Sequence, residues 1–583
     1  MPQTGAPGRK ALEDLRSQRW FASDDIRGFA HRQRTQQMGM RREEFMGRPV
    51  IAILNTWSEI SPCHAHLRDR AEAVRRGVWQ AGGYPIELPA LSVGEVMVKP
   101  TTMLYRNFLA METEELLRSH PVDACVLLGG CDKSTPGLLM GAFSMNLPTI
   151  FCPAGPMLNG RWRGQTTGAG THTKRYWDKL QTGEITSDDW VDLESAMTRS
   201  NGTCNTMGTA STMTSIVDAM GLTKTGASSI PAADSGHPRL ASWCGARAVE
   251  MAWEDLKPSD ILDADSLSNG LAVYMALGGS TNAAVHLPAM AGRLGLSITL
   301  DDMADRATRI PVLANLFPSG DRLMEDFYFA GGLPALMKKL GDHILPHART
   351  VEGRSIGDAI AGAACYDDDV IRDIDNPVVP LSRGRALIVL RGNLAPDGAV
   401  MKTSAANPDK LSHRGPALVF DGPGDMFARI NDPDLDVTPD TVLVLRGAGP
   451  VGGPGMPEWG NLPIPRKLLK AGVRDMVRIC DGRMSGTHYG TCILHVSPEA
   501  AVGGPLALLR TGDDVVLDAE AGRIDMDVPE EEIAARRAAW TPAPSPYTRS
   551  FTALFQRHVA QAHLGCDFDF LGGTDPVPEP PIY

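Results

Sequence analysis

PVIAILNT (49–56), HLRDRAEAVRRGVWQAGG (66–83), YPIELPAL (84–91), TTMLYRNFLAMETEELLRS (101–119) and VDACVLLGG (122–130) follow one another with only short glycine-, proline- or serine-bearing breaks between them. Apolar runs rich in Val, Ile and Leu alternate with amphipathic stretches of ten or more residues. That alternation is the pattern of βαβ units, in which strands are apolar throughout because helices cover both faces of a parallel sheet. LPTIFCPAG (147–155) reads as the next strand, and helices are expected near 190–200, 206–221 and 241–254.

Beyond about residue 380 the rhythm changes. RALIVLRGN (385–393), PALVFDGPGD (416–425), TVLVLRGAGP (441–450), VRDMVRICDGR (473–483), TCILHVSP (491–498) and DDVVLDAEAGRID (513–525) are short β-branched runs closed by glycine turns. Such spacing indicates a sandwich or barrel. The expected organisation is an N-terminal arm over residues 1–45, polar and Arg-rich and lying over another surface such as a neighbouring subunit. An α/β domain over 46–380 and a β-barrel-like domain over 381–583 follow, with 350–383, including YDDDVIRDIDNP, as the linker.

Composition narrows the function. The chain has 583 residues, with 57 Lys and Arg against 69 Asp and Glu, a formal charge of −12. Without a basic run it lacks the electrostatic footprint of a nucleic-acid binder. No apolar stretch reaches the roughly 18 to 20 residues that span a bilayer, and MPQTGAPGRKALEDLRSQRW has no apolar core to act as a secretory signal. A cytoplasmic location and no membrane partner are expected. The 10 cysteines form no C-x-x-C pair and no regular framework, which argues against disulfide scaffolding and a zinc ribbon.

Three cysteines stand apart. Cys63 in ISPCHAHL, Cys131 in LLGGCDKSTPG and Cys204 in SNGTCNTMGTASTM are flanked by Gly, Pro, Ser or Thr rather than by core neighbours. Cys131 directly follows an apolar run, so it falls at the carboxyl end of a parallel strand, where open α/β sheets place ligands. Three thiolates from separate loops could bind an iron–sulfur cluster and leave one coordination position unfilled, and an open metal position supports Lewis-acid chemistry. The competing reading is that free cysteines are commonly buried and inert, and the other seven are read that way.

Asp132, next to Cys131, is a hard oxygen donor suited to Mg²⁺. Lys133 could be a charge partner, a base, or, once carbamylated, another oxygen ligand. Glu95 in SVGEVMV and Glu458 in GPGMPEWG are carboxylates in apolar or Gly/Pro-rich surroundings, and taken singly they read as loop acids. Ser485 and Thr487 lie between glycines in CDGRMSGTHYG; Ser485 could act as a base if a positive site lowers its pKa, whereas hydroxyls in such turns usually bond locally. GPGDM (422–426) and RGAGPVGGPG (446–455) contain no G-x-x-x-x-G-K-[ST] and no strand, G-x-G-x-x-G and helix order, so nucleotide binding is rejected.

SPCHAHL (61–67), GCDKSTPG (130–137), GTCNTMGTASTM (202–213), GGSTNAAVHL (278–287), RGNLAPDGAVMK (391–402), GPGMPE (453–458) and DGRMSGT (481–487) together resemble the family that joins dihydroxy-acid dehydratases to sugar-acid dehydratases, over nearly the whole chain. The resemblance implies an α/β domain with a [2Fe-2S] cluster and Mg²⁺, closed over by a β-barrel-like domain. It places Cys63, Cys131 and Cys204 on the cluster-ligand positions. Glu95, Asp132, Glu458 and a carbamylated Lys133 fall on the Mg²⁺ positions, Ser485 on the catalytic base and Thr487 on a substrate-binding hydroxyl. It further implies a homodimer or homotetramer acting on a small hydroxy acid.

One departure is His64, where the family usually has Asn; it bears on the hydrogen bonding of the cluster. Cys-Asn-Thr-Met-Gly-Thr-Ala-Ser-Thr-Met after the third cysteine resembles the sugar-acid branch. NTWSEISPC, KPTTMLYRN and GNLAPDGAV look most like L-arabinonate dehydratases, so the expected reaction turns a pentonate into its 2-keto-3-deoxy acid. The alternative is the dihydroxy-acid dehydratase of branched-chain amino-acid synthesis. From another class, an iron–sulfur electron carrier or sensor would need a fourth protein ligand, and a zinc hydrolase lacks H-E-x-x-H.

Overall fold

The computed structural model describes residues 9–573 and 577–582, so the first eight residues of the expected arm lie outside the described residues. Four strands, β1 (Val50–Asn55), β2 (Tyr84–Pro89), β3 (Ala124–Gly129) and β4 (Thr149–Pro153), form a parallel sheet in the order β2-β1-β3-β4. Every residue of β1, β3 and β4 is buried, as their unbroken apolar sequence requires. The crossovers are the helices Leu67–Gln80, Met103–Ser119 and Ser134–Met145.

Leu67, Ala71, Val74 and Val78 recur at helical spacing and turn inward, each large apolar side chain worth about 1.5–3 kcal/mol of burial. This helix crosses Gly236–Glu254 backbone to backbone. A Cβ on Gly77 would come within 1.9 Å of the Ser242 carbonyl oxygen, and one on Gly245 within 2.1 Å of that of Val74, so only glycine permits the approach. The expected helices near 190–200, 206–221 and 241–254 appear as Ser187–Ala196, Thr209–Ala219 and Gly236–Glu254. A hairpin, β5 (Gly160–Trp162) and β6 (Gln165–Thr167), precedes the first of them.

The second region is a closed eight-stranded barrel. Its strands are β7 (Ile388–Gly392), β8 (Ala395–Met401), β9 (Ser412–Asp421), β10 (Val442–Arg446), β11 (Arg478–Cys480), β12 (Cys492–Ser497), β13 (Asp514–Asp518) and β14 (Arg523–Asp527). They close in the order β10-β11-β12-β8-β7-β14-β13-β9, and β9 to β12 run parallel to one another. Period-two alternation divides the strands between two cores: Val442 and Val444 face one cluster, Leu443 and Leu445 the other. Val400, Met484, Cys492 and Leu494 join the main core of the α/β region, which seats the barrel against it.

Two segments give the expected organisation its detail. The described part of the arm lies on the chain's own α/β domain: Trp20, Phe21 and Phe45 enter its core, and Asp123 accepts the backbone N–H groups of Ser17 and Val50 at 2.8 and 2.7 Å. Three large aromatic side chains in an otherwise polar stretch account for this, because they bury against the nearest apolar surface. The stretch 350–383, expected as the linker, is itself partly buried. Val370 and Ile371, amid the acidic run, are buried, and Ala314 and Val312 bridge to Ile371 and Val379. No helix among the described residues is long and apolar enough to cross a membrane.

Candidate active site

The carboxyl ends of β1 and β3 release two loops that meet. Cys63 precedes the helix Leu67–Gln80, and Cys131 precedes Ser134–Met145. Cys204 arrives on a third loop, held by Gly202 N–H to the Pro62 carbonyl at 3.0 Å and Thr203 N–H to that of Gly155 at 2.9 Å. The Cys63 and Cys131 thiols are neighbours. The adjoining Cys131 thiol, burial, and the nearby Cys204 and Asp132 push the Cys63 thiol well above its usual range. Burial, Asp132 and Cys131 push Cys204 up to about 12. Cys63 and Cys204 so placed resist ionisation until a metal ion supplies positive charge.

His64 ties two of these loops together. Its Nδ1 lies 2.9 Å from Ser92 Oγ and its Nε2 3.1 Å from Ser134 Oγ, while Cys131 N–H donates to Nε2 at 3.4 Å. Burial holds its pKa down to about 3, so the ring is neutral. Ser134 Oγ also accepts from Gly130 and Cys131 N–H. The departure from the family's usual Asn is therefore a buried, hydrogen-bonded cross-link between the first and second cysteine loops.

Beside the thiols, Lys133 is fully buried with its ammonium 2.8 Å from Glu95, 3.3 Å from Asp132 and 3.4 Å from Glu458. Burial and Arg483 oppose its charge, but Glu458, Glu95 and Asp132 outweigh them and its pKa rises above the ordinary lysine value. Burial works against the Glu458 carboxylate, yet Lys133, Arg483 and Asn282 bring its pKa down to about 2. Glu95 goes the other way, raised by burial. Asn282 Nδ2 donates to Glu458 at 2.8 Å and Arg483 at 2.9 Å; Thr101 and Thr102 donate their hydroxyls to Glu95.

Ser485 follows β11 on the barrel. Its Oγ is 2.9 Å from Thr487 Oγ1, and Thr171 donates its hydroxyl to the Thr487 carbonyl. A Cβ on Gly486 would fall 2.5 Å from Ser280, whose hydroxyl lies 2.9 Å from that of Thr209. Thr209 in turn accepts from Asn282 Nδ2 at 2.9 Å. A continuous polar chain thus runs from Glu458 through Asn282, Thr209 and Ser280 to the serine loop.

All nine residues singled out from the sequence lie in this one region. Asn282, Arg483, Thr101, Thr102, Thr209 and Ser280 received no role there, although GGSTNAAVHL, DGRMSGT and KPTTMLYRN contain all but Thr209, which lies in GTCNTMGTASTM. Among the described residues no three His, Cys, Asp or Glu side chains are already drawn into a metal cage, because the carboxylates are spread around the Lys133 ammonium. The donor chemistry nonetheless fits two different metals: three thiols suit iron, and three carboxylates around one buried positive point suit a hard divalent cation.

Residues 48–359 match the family model described as dihydroxy-acid/6-phosphogluconate dehydratase N-terminal, and 369–566 its C-terminal counterpart. The chain is similar to a 6-deoxy-6-sulfo-D-gluconate dehydratase of Pseudomonas putida, with 66% identity covering 98% of this chain and 99% of the relative. It is 47% identical to an L-arabinonate dehydratase of Rhizobium leguminosarum bv. trifolii, over 96% of each chain. It is 38% identical to a dihydroxy-acid dehydratase of Moorella thermoacetica, over 92% of this chain and 97% of the relative.

Proposed function

This chain belongs to the dihydroxy-acid/6-phosphogluconate dehydratase family and is a hydro-lyase, and we propose that it converts an aldonate to its 2-keto-3-deoxy acid, with 6-deoxy-6-sulfo-D-gluconate ahead of the pentonates. The observation that carries the chemistry is the juxtaposition of three thiols from three loops with three carboxylates around Lys133. The 66% relative favours the sulfonated acid. L-arabinonate is the second reading, favoured by relatives at 47% that carry that name or L-arabonate.

Cys63, Cys131 and Cys204 would hold a [2Fe-2S] cluster, and Glu95, Asp132, Glu458 and Lys133 as a carbamate would hold Mg²⁺. Once bound, these groups supply Lewis acidity to the C3 hydroxyl and to the carboxylate with its C2 hydroxyl. Ser485 Oγ takes the C2 proton. The C3–O bond breaks, the departing hydroxide leaves as water with a proton returned from Ser485, and the enol tautomerises to the ketone. Thr487 Oγ1 fixes the serine hydroxyl toward the substrate. A serine is a poor base at its ordinary pKa, so the positive charge nearby is what makes the step feasible.

The test is a substrate panel on anaerobically prepared, metal-loaded protein, read as 2-keto acid formed. The expected order of kcat/KM is 6-deoxy-6-sulfo-D-gluconate, then D-gluconate and L-arabinonate, then 2,3-dihydroxy-isovalerate. A tenfold preference for the last would transfer the protein to the branched-chain reaction.

A further inference from the structure

Behind Thr487, the helix Thr171–Thr182 turns its first residues to the loop 485–490. The contact is close: a Cβ on Gly170 would lie 2.1 Å from Thr487 Oγ1. Lys174 and Arg175 follow Thr171 by three and four residues and so share its face. Arg175 confirms the placement by lying 5.7 Å from the Tyr489 ring centroid and 4.9 Å from that of Phe317. On the loop, His488 N–H donates to the Ser485 carbonyl at 3.0 Å, and His488 Nδ1 is buried without a partner among the described residues. The charges of Lys174 and Glu458 both act on the His488 ring, and Thr171, at the start of the helix that carries Lys174, donates its hydroxyl to the carbonyl of Thr487, the residue before His488.

Three cations gather here, and two are committed. Arg478 donates to the Met476 and Leu462 carbonyls, to Asn461 and to Asp475, and Asp475 is also taken by Thr491. Arg175 stacks on its two rings. Lys174 is different: its ammonium makes no hydrogen bond or ion pair among the described residues, and Asp178 and Asp475 act on it only at a distance. Burial and Arg478 both oppose its charge. The half-buried Lys174 ammonium is free to take an anion, and the buried His488 Nδ1 is a polar atom that costs stability until something completes it.

We propose that Lys174, with the His488 ring beside it, receives a tetrahedral oxyanion, sulfonate or phosphate, on the terminal carbon of the aldonate. The inference rests on the aldonate reading above and adds the residue that reads the far end. With the substrate's carboxylate end toward Glu95, Asp132 and Glu458, and C2 at Ser485, the remaining carbons run along the loop toward His488. Lys174 is on the helix that packs against this loop through Gly170 and Thr171. A neutral hydroxymethyl end would leave the ammonium uncompensated; a permanent anion pairs with it.

The experiment compares wild-type holoenzyme with Lys174→Met and Lys174→Arg on 6-deoxy-6-sulfo-D-gluconate, 6-phospho-D-gluconate and D-gluconate. Calorimetric binding of the sulfonated acid is measured in a Ser485→Ala background, where binding is read without turnover. The expected result is that Lys174→Met lowers the kcat/KM ratio of anionic-tailed over neutral acid by 30-fold or more and weakens binding by at least tenfold, while Lys174→Arg keeps the ratio within about fivefold. If Lys174→Met does not accumulate folded, Lys174→Gln answers the same question. A ratio and a Kd within twofold of wild type overturn the role of Lys174 and leave the aldonate reading standing. A wild-type enzyme that dehydrates only neutral acids overturns the inference together with the preference for the sulfonated substrate. Turnover of the phosphorylated acid in place of the sulfonated one supports the subsite and assigns it to phosphate.

Discussion

The α/β and barrel sides of the site are built by opposite means. Cys131, Asp132 and Lys133 directly follow the end of β3, so the buried sheet fixes them closely, and Cys63 comes on the longer loop that leaves β1. Glu458, Ser485 and Thr487 ride on glycine-rich loops of the barrel and are held from outside. Asp481 accepts the N–H groups of Gly447, Ala448 and Ala500, Glu499 accepts those of Val451 and Gly452, and Asn282 reaches across from the α/β region to Glu458. One side is set by strands and the other by side-chain bonds. Defects on the sheet side should therefore abolish a metal centre, and defects on the barrel side should misplace a group by degrees.

The largest expected effect is on the sheet side. Cys131→Ser loses bound iron and activity together, with turnover reduced by about a thousandfold or more, as read by elemental analysis and visible absorbance. Iron retained at the wild-type level would remove Cys131 from the ligand set. Ser485→Ala, on the barrel side, keeps the absorbance but lowers kcat by about 10²- to 10⁴-fold; near-normal turnover would end its role as base. Asn282→Ala sharpens the contrast further. Iron stays, while the Mg²⁺ concentration for half-maximal activity rises about 10- to 100-fold, and an unchanged Mg²⁺ titration would show that the bond to Glu458 does not position it.

The smallest effect concerns the loop anchor. Burial and Asp481 raise Glu499 to about 7 from 4.5, so between those values the folded protein holds a proton that the unfolded chain has released. That contribution is present at low pH and is lost as the pH rises through about 7. Glu499→Gln cannot lose it, and the gap in melting midpoint between about pH 5 and pH 8 narrows by a few degrees. An unaltered gap would mean that Glu499 is ionised throughout.

The sheet was legible because β1, β3 and β4 are apolar on both faces, a requirement written directly into VIAILN, ACVLLG and TIFCP. The barrel was legible from short runs and glycine turns, although its closure and its parallel β9 to β12 segment depend on pairing between distant strands. Cys63, Cys131 and Cys204 stood out because their polar neighbours are wrong for a core. Asn282, Thr209 and Ser280 did not, since small polar residues near glycines read as ordinary turns until folding buries them against Glu458. Lys174 was equally silent, because one lysine on an amphipathic helix looks like any solvated charge.

In the barrel every strand has a neighbour on both sides. Such a ring offers no raw edge for another chain to zip onto. Strand-to-strand pairing between copies is left to the open sheet of the α/β region, whose outer strands are β2 and β4.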